Sequence, residues 1–453
     1  MKTVLQFIYV MVLAATCVSA NLLLAGQPLH DHPGYRLLIN MALIPPDFDQ
    51  ETIDSVWQVW PHPIRQQAEL SSVEVRRQMI FDRYGLTPRP DDPVKPLQYV
   101  VDANGKWTMN CFACHGGQVG EQIIPGAPNR EFDLQTLTEE TRRYKIRQGT
   151  KLARMDLGSI FVPLGSTRGT TNAVMFGVAL MHFRDLELNV IEPVAPPAMQ
   201  HHDMDAPPWW NYSLRSHIYI DGFAQRGHRS LMQFALVREN RPDWFHRNEA
   251  SFRDVDDYLM SLSPPKYPFA MDEKLGAKGR DVFNRNCAEC HGVYGASIEY
   301  PGRCIPIAEI GTDPIRLGAL SAANRQAYGK SWFGSFGKED TVADPGGYVA
   351  PPLSGLWASA PYLHNGSVPT LWHLLHPEER PTVWHRLSTT IDTTCVGLTV
   401  EAVDAIPSSE RDVSERRKYF DTLQHGKSAA GHDFPNKLTE LEKTEVLEYL
   451  KSL

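Results

Sequence analysis

The chain carries one short pattern twice, as Cys111-Phe112-Ala113-Cys114-His115 and as Cys287-Ala288-Glu289-Cys290-His291. Two thiols at this spacing add to the two vinyl groups of one haem, and the adjoining histidine reaches the iron as proximal ligand, so the spacing is itself the chemistry. Half a zinc site or a redox dithiol would need only the cysteines and would meet the histidine by accident. With 7 Cys and 17 His in 453 residues, such a pentapeptide arises by chance only about 0.004 times. Zinc ribbons also bring their cysteine pairs within about 15–20 residues of each other, and these pairs lie much farther apart. Two covalently bound haem c groups are therefore expected, one on Cys111, Cys114 and His115, the other on Cys287, Cys290 and His291.

A chain of 453 residues exceeds one hydrophobic core, and two or three domains are expected. Its start, Met1-Lys2-Thr3 followed by an apolar run and Val18-Ser19-Ala20, has the form of a secretory signal peptide over residues 1–20, cleaved after Ala20. The apolar run is too short to cross about 30 Å of hydrocarbon, so no transmembrane anchor is expected. Export suits the cysteines, because haem is joined to such motifs outside the bacterial inner membrane, where disulfides also persist. A periplasmic or secreted protein is expected. Setting aside Cys17 and the four haem thiols leaves Cys304 and Cys395 as a candidate disulfide. A formal charge of −8 argues against nucleic acid and anionic membranes, and suits a small basic redox protein as partner.

Along the chain, residues 21–98 read as an N-terminal extension, with a helix from Ser72 to Tyr84 that turns Val75, Met79 and Ile80 inward and stops at Gly85. Tyr99-Val100-Val101 and Trp107-Thr108-Met109 flank a turn and predict a hairpin leading into Cys111. From Gly116 to about Ala250 the Pro, Gly and aromatic content predicts long ordered loops rather than helices. A helix over residues 251–262 ends at Ser263-Pro264-Pro265, which sets the boundary between a first haem domain, 99–263, and a second, 264–453. The second opens with a helix from about Asp272. It closes with a terminal helix capped by Thr439-Glu440-Leu441-Glu442, and the two cross where Gly279 permits close approach. The expected class is mainly α with long ordered loops: two c-type cytochrome haem domains plus the extension.

With these motifs, Ala360-Pro361-Tyr362-Leu363-His364-Asn365-Gly366-Ser367-Val368-Pro369-Thr370-Leu371 resembles the bacterial di-haem cytochrome c peroxidase superfamily. Asn110 to Gly116, Ile310-Gly311-Thr312-Asp313-Pro314 and Gly355-Leu356-Trp357 look most like the branch that includes the di-haem rubber oxygenase. The resemblance runs from about Tyr99 to the C-terminus. It implies a reactive N-terminal haem on His115 and a six-coordinate, electron-transferring C-terminal haem on His291. The sixth ligand there is expected to be His432, in Gly431-His432-Asp433-Phe434, with His364 as the alternative or as a neighbour that organises the site. His373 and His376 look like members of an ordinary helix.

The distal side of the first haem is where the chain departs from the peroxidases. Tyr219, in Ile218-Tyr219-Ile220-Asp221-Gly222, stands nearest the position of an inter-haem Trp. Phe234, in Ser230-Leu231-Met232-Gln233-Phe234-Ala235, occupies the register of a distal Gln, and Glu239 lies near that of the peroxidase acid. A Phe moves no proton, which favours dioxygen and an apolar organic substrate over hydrogen peroxide. A calcium ion between the domains, common in the superfamily, would find Asn172, Ser359 and Pro361. A non-enzymatic electron carrier is the alternative, in which one of Met155, Met175, Met181, His182, His201 or His202 closes the first iron.

Overall fold

The computed structural model describes residues 30–453 apart from 121, 193–196, 198 and 338. The expected signal peptide lies outside the described residues.

Helix α1 (Pro33–Asn40) starts at His32, whose ring nitrogen accepts from Gly34 N, and buries Tyr35, Leu38 and Ile39. Helix α2 (Val73–Tyr84) runs as expected: the Ser72 hydroxyl accepts from Val75 N, and Gly85, in the left-handed region at φ 64°, ends it. Its buried face is Ile80, Phe81 and Tyr84, while Val75 is exposed, so the expected stripe is corrected by a shift toward the last two turns. The hairpin is also present. Strands β1 (Tyr99–Val101) and β2 (Lys106–Met109) pair antiparallel with Tyr99 opposite Met109, and Phe48–Asp49 adds a short third strand against β2.

After Gly116 the structure departs from the expected loops. Helices α3 (Leu134–Gln148), α4 (Arg154–Phe161) and α5 (Ala173–His182) occupy that stretch. Helix α3 gives no hydrophobic period because its buried positions include Thr136, Thr138, Glu140, Thr141 and Lys145. These are satisfied by partners such as Arg83 on Glu140 (2.7 Å) and Asp156 on Lys145 (2.6 Å). Helix α6 (Pro242–Ser261) begins at Pro242 rather than at 251. Helix α7 (Glu273–Asn286) is capped by Asp272, which accepts from Lys274 N and Leu275 N.

A second departure is the hairpin of β3 (Val383–Asp392) and β4 (Gly397–Val403), with Val383 opposite Val403 on one side and Asp421 on the other. The class is therefore mixed, 42% helical and 16% strand, and not mainly α. The terminal helix α8 (Glu440–Lys451) has the expected capping box between Thr439 and Glu442. It lies so close to α7 that a Cβ on Gly279 would fall 1.8 Å from the Glu445 carbonyl oxygen.

Three cores hold these elements. Phe48, Trp60, Tyr84, Trp107 and Leu137 form one. Tyr35, Phe112, Trp209, Phe223, Tyr258 and Tyr328 belong to a second, and Trp210, Phe283, Trp357, Trp384 and Tyr449 to a third. Tyr328 and Phe333 join the core of Phe112, while Val119 and Trp210 join that of Phe283. The two halves on either side of residue 263 thus interlock. Cys304 and Cys395 are both free thiols, so the candidate pair is not joined. Cys304 sits in a strand paired to Val349 and donates to the Pro345 carbonyl at 3.2 Å, whereas Cys395 lies in the turn between β3 and β4.

Candidate functional site

Each Cys-x-x-Cys-His segment forms one helical turn, Phe112–His115 and Ala288–His291. The first is fixed by Asn110, whose side chain donates to Leu97 O at 3.0 Å and accepts from Phe112 N at 2.9 Å. Phe112 and Ala113 are buried, with Phe112 between Tyr35 and Trp209. This leaves Cys111, Cys114 and His115, all partly buried, on the other side of the turn. The His115 ring stacks on Trp209 at 4.6 Å between centroids. Burial pushes its pKa down to about 4, against a small opposing effect of the Pro207 carbonyl, and pushes the Cys111 thiol up to about 12. The buried Nδ1 makes no well-formed hydrogen bond, and a neutral imidazole keeps the one nitrogen lone pair with which it would hold a haem iron.

The second turn continues helix α7, with Cys287 N donating to Phe283 O at 2.7 Å. Gly292 at φ 90° turns the chain away, since a Cβ there would meet Glu299 O at 2.3 Å. His291 Nδ1 pairs with the Pro351 carbonyl at 2.9 Å, which leaves Nε2 free of that hydrogen bond and able to coordinate a metal. Its ring centroid is 6.1 Å from that of His432. Two imidazoles that each place a nitrogen about 2.0–2.1 Å from one metal ion stand about this far apart, so the pair fits an iron between them. Burial lowers both histidines, His432 to about 3, and its buried Nδ1 has no hydrogen-bond partner.

The loop that carries His432 is tightly constrained. His432 itself adopts φ 53°, a conformation that side chains rarely take. His432 N donates to Ile310 O at 2.7 Å, and Arg380 donates to the carbonyls of Ala429 (2.6 Å) and Gly431 (2.7 Å). Gly431 packs on Gly311 and Thr312 so closely that a Cβ would fall 2.2 Å from Gly311 C. Upstream, the Asp313 carboxylate accepts from Ser428 N at 3.0 Å, and Asn365 donates to Ser428 O at 3.0 Å. Two of the quoted motifs, the Ile310–Pro314 stretch and the segment around His364, are thus used to hold the His432 loop.

His364 makes a different ring contact. Its ring packs on Tyr348 at 4.5 Å, its carbonyl accepts from Asp205 N at 2.9 Å, and burial with Arg316 and His202 nearby lowers it to about 3. His373 and His376 are engaged with Thr370 and Glu440 respectively, in keeping with ordinary helix positions.

Tyr219 and Phe234 share a cavity of about 220 Å³ whose walls include Val178, Met181, His182, Gln233 and Leu320. Val178, Phe223, Leu320 and Tyr328 of this wall belong to the core that contains Phe112, and Cys111 packs against it. The walls are not wholly apolar. Gln233, which sequence reasoning passed over for its neighbour, is buried and donates to the Tyr219 hydroxyl and to Ser230 O (2.9 Å). Phe234 is 45% exposed at the rim. Tyr219 takes φ 68°, above a buried ion triad in which Asp221 binds Arg316 (3.2 Å) and Arg325 (2.8 Å).

Glu239 is exposed and does not line the cavity, which corrects its expected place there. Of the candidates to close the first iron, Met181 and His182 line the cavity, Met175 is core, His201 is exposed and His202 is buried against Gln200 O. Met155 is a partly buried residue of α4.

The three candidate calcium ligands are dispersed in their bonding. Asn172 donates to Pro163 O at 3.0 Å, the Ser359 hydroxyl to Gly355 O at 3.3 Å, and Pro361 lines a small cavity edged by Arg130 and Arg386. Among the described residues no group of three or more His, Cys, Asp or Glu is arranged to hold a metal ion.

Comparison with known proteins bears on this geometry. The chain is 31% identical over 286 residues to the uncharacterized protein y4iM of Sinorhizobium fredii, an alignment that covers 55% of this chain and 64% of the relative. It is 28% identical over 270 residues to the uncharacterized protein y4iJ of the same organism, covering 44% and 43%. The chain thus spans less than two thirds of each relative. Residues 347–385 match the family described as RoxA-like, cytochrome c-like, a stretch that begins just before Pro351, the partner of His291, and contains His364 and Asn365. A cytochrome c-like domain of the RoxA-like kind is recognised in this chain, and such a domain implies covalently bound haem c.

Proposed function

We propose that the protein is an exported di-haem c oxidoreductase that turns over dioxygen or peroxide at the His115 centre and moves electrons through a second centre held by His291 and His432. The observation that carries this is an asymmetry: His291 has a second imidazole 6.1 Å away, whereas the ring against His115 is the stacked indole of Trp209, and the core that includes Phe112 supplies part of the wall of a cavity of about 220 Å³. A haem c on each turn supplies an iron that passes electrons between a donor and the oxidant.

The chain's own residues do the rest. Trp209 fixes the plane of the His115 ring by stacking. The Tyr219 hydroxyl accepts from Gln233, so its own proton is left to be offered into the cavity. Val178, Met181, Leu320 and Phe234 give the cavity apolar wall that suits an apolar organic substrate. An oxygenase acting on such a substrate is the favoured chemistry. A hydrogen peroxide-reducing enzyme is the alternative, and Gln233 with Tyr219 is what supports it. The negative net charge suits a small basic redox protein as donor. Export is in keeping with a cytochrome c-like domain, and among the described residues no helix is long and apolar enough to cross a membrane.

The test is an electron paramagnetic resonance and optical spectrum of the oxidised protein. One low-spin centre with two imidazole ligands and one high-spin centre are expected. Two low-spin centres would instead make the protein a carrier, with Met181 or His182, both in the cavity wall, closing the first iron.

A further inference from the structure

Beside the first turn lies an arginine that none of these roles uses. Asn129 ties the turn down, its N donating to Cys114 O at 2.8 Å and its side chain to Ala113 O at 3.0 Å. The next residue, Arg130, is 3% exposed, and both of its terminal nitrogens are buried without a hydrogen-bond partner. The neighbouring guanidiniums are engaged: Arg168 donates to Glu131 O (2.9 Å) and Asp82 O (2.6 Å), and Arg386 to Arg130 O and to the Glu131 carboxylate (3.0 Å). Burying a guanidinium with idle donors is strongly unfavourable unless something else supplies acceptors. The wall is rigid as well, since Gly169 at φ 84° packs so that a Cβ would fall 2.2 Å from Arg130 O.

Arg130 lines a cavity of about 10 Å³ shared with Asp205, Pro361, Gly366, Trp384 and Arg386. This is the place of Pro361, a candidate calcium ligand, yet two guanidiniums at its edge repel a cation. Asp205 also lines it, its carboxyl raised by burial against the lowering effect of Arg386 and Arg130, and it makes no hydrogen bond to the two terminal nitrogens of Arg130.

We propose that this cavity is a carboxylate site, in which the two free nitrogens of Arg130, flanked by Arg386, take one carboxylate group. Planar two-point pairing of guanidinium and carboxylate is the strongest hydrogen bonding available to either group. The inference rests on haem attachment at Cys111 and Cys114, because the nearest covalent source of a carboxylate is a propionate of that haem. A free small carboxylate is the other source. A space of about one water favours the end of a tethered arm over a whole ion.

The experiment compares the parent holoprotein with Arg130→Gln and Arg130→Lys. Haem content is read by mass, the midpoint potential of each haem by spectroelectrochemistry, and the melting temperature with sodium formate against sodium chloride at equal ionic strength. We expect all three proteins to carry their haems. Arg130→Gln leaves a propionate uncompensated and stabilises the ferric form of one haem by about tenfold, which is about 59 mV for a one-electron couple. Arg130→Lys, which keeps the charge but loses the two-point pairing, shifts that potential in the same direction by a measurably smaller amount, and formate has no specific effect. A formate-dependent rise in melting temperature that Arg130→Gln abolishes, with unchanged potentials, supports the site with a free carboxylate as its occupant. If neither potentials nor formate response depends on residue 130 in haem-loaded protein, the cavity holds only water and the site is overturned, while haem attachment stands. If the parent's mass shows no haem, it is the haem assignment that fails, and the formate titration alone then decides the site. Should the Gln variant not fold, Arg130→Lys decides in its place. The Lys side chain keeps the charge but loses two-point pairing, so parent values for both potential and formate response in that variant overturn the site.

Discussion

Gln233 and Phe234 are adjacent in the chain and face the same cavity, but they favour opposite chemistry there. A distal amide can move protons and assist peroxide cleavage, and a phenyl ring cannot. Phe234→Gln is expected to raise turnover of hydrogen peroxide with a simple electron donor by on the order of 10- to 100-fold. Gln233→Leu, which also frees the Tyr219 hydroxyl, should lower it. Steady-state rates with peroxide check both, and a parent rate already unaffected by either change would remove this cavity from the reaction. The ligand assignment is tested separately. His432→Ala should turn one haem high-spin in the electron paramagnetic resonance spectrum, whereas His364→Ala should leave a low-spin centre with an altered potential; the reverse outcome would exchange their roles. Both candidate proximal histidines, His115 and His291, could be named from spacing alone. Gln233 was not, because the side chain that turns inward depends on the backbone of the short helices over 228–235.

Helix α7 and the terminal helix α8 are the elements most completely written in the sequence, with cap residues and a glycine at the crossing. The crossing gives a paired prediction. Gly279→Ala must push a Cβ into the Glu445 carbonyl and should destabilise by about 1–3 kcal/mol or more. Gly276→Ala, whose Cβ would be 3.7 Å from its nearest neighbour, should be neutral or stabilise by up to about 1 kcal/mol. Denaturant unfolding monitored away from the haem bands distinguishes the two. The His432 loop shows the same sensitivity to a single atom. Gly431→Ala, at φ 78° and in contact with Gly311, should displace His432 and reproduce the high-spin signal of His432→Ala without removing the ligand. Helix α3 was not legible, since its buried face is made of ion pairs and hydroxyls, and a hydropathy period registers only apolar burial.

At the scale of the whole molecule, the interlocked cores make stability respond to buried charge. Burial raises Asp47 to about 7 from an ordinary 3.8, opposed by the Met109 amide and Lys145. A carboxyl whose pKa is raised by folding holds a proton that the unfolded chain has already released. Its destabilising effect is therefore absent below about 3.8, grows through the window up to about 7, and is complete above it. Asp47→Asn should raise the melting temperature at pH 8 and change it little near pH 4. Equal shifts at both pH values would mean that Asp47 is not buried in its acid form. The mass of the mature chain, beginning near Asn21, should exceed that of the polypeptide by two haems.

By itself the sequence determined the two attachment turns, the caps of α2, α7 and α8, and the residue types able to ligate iron. Each of these is set by neighbours a few positions away, where chain geometry leaves little choice. The tertiary structure decided which distant groups meet: the His432 ring beside that of His291, Gln233 beside Tyr219, and Arg130 with Arg386 at the small cavity that Pro361 lines. Those outcomes depend on how elements pack across the expected boundary at residue 263. Packing is set by the fit of whole surfaces, which no local spacing records.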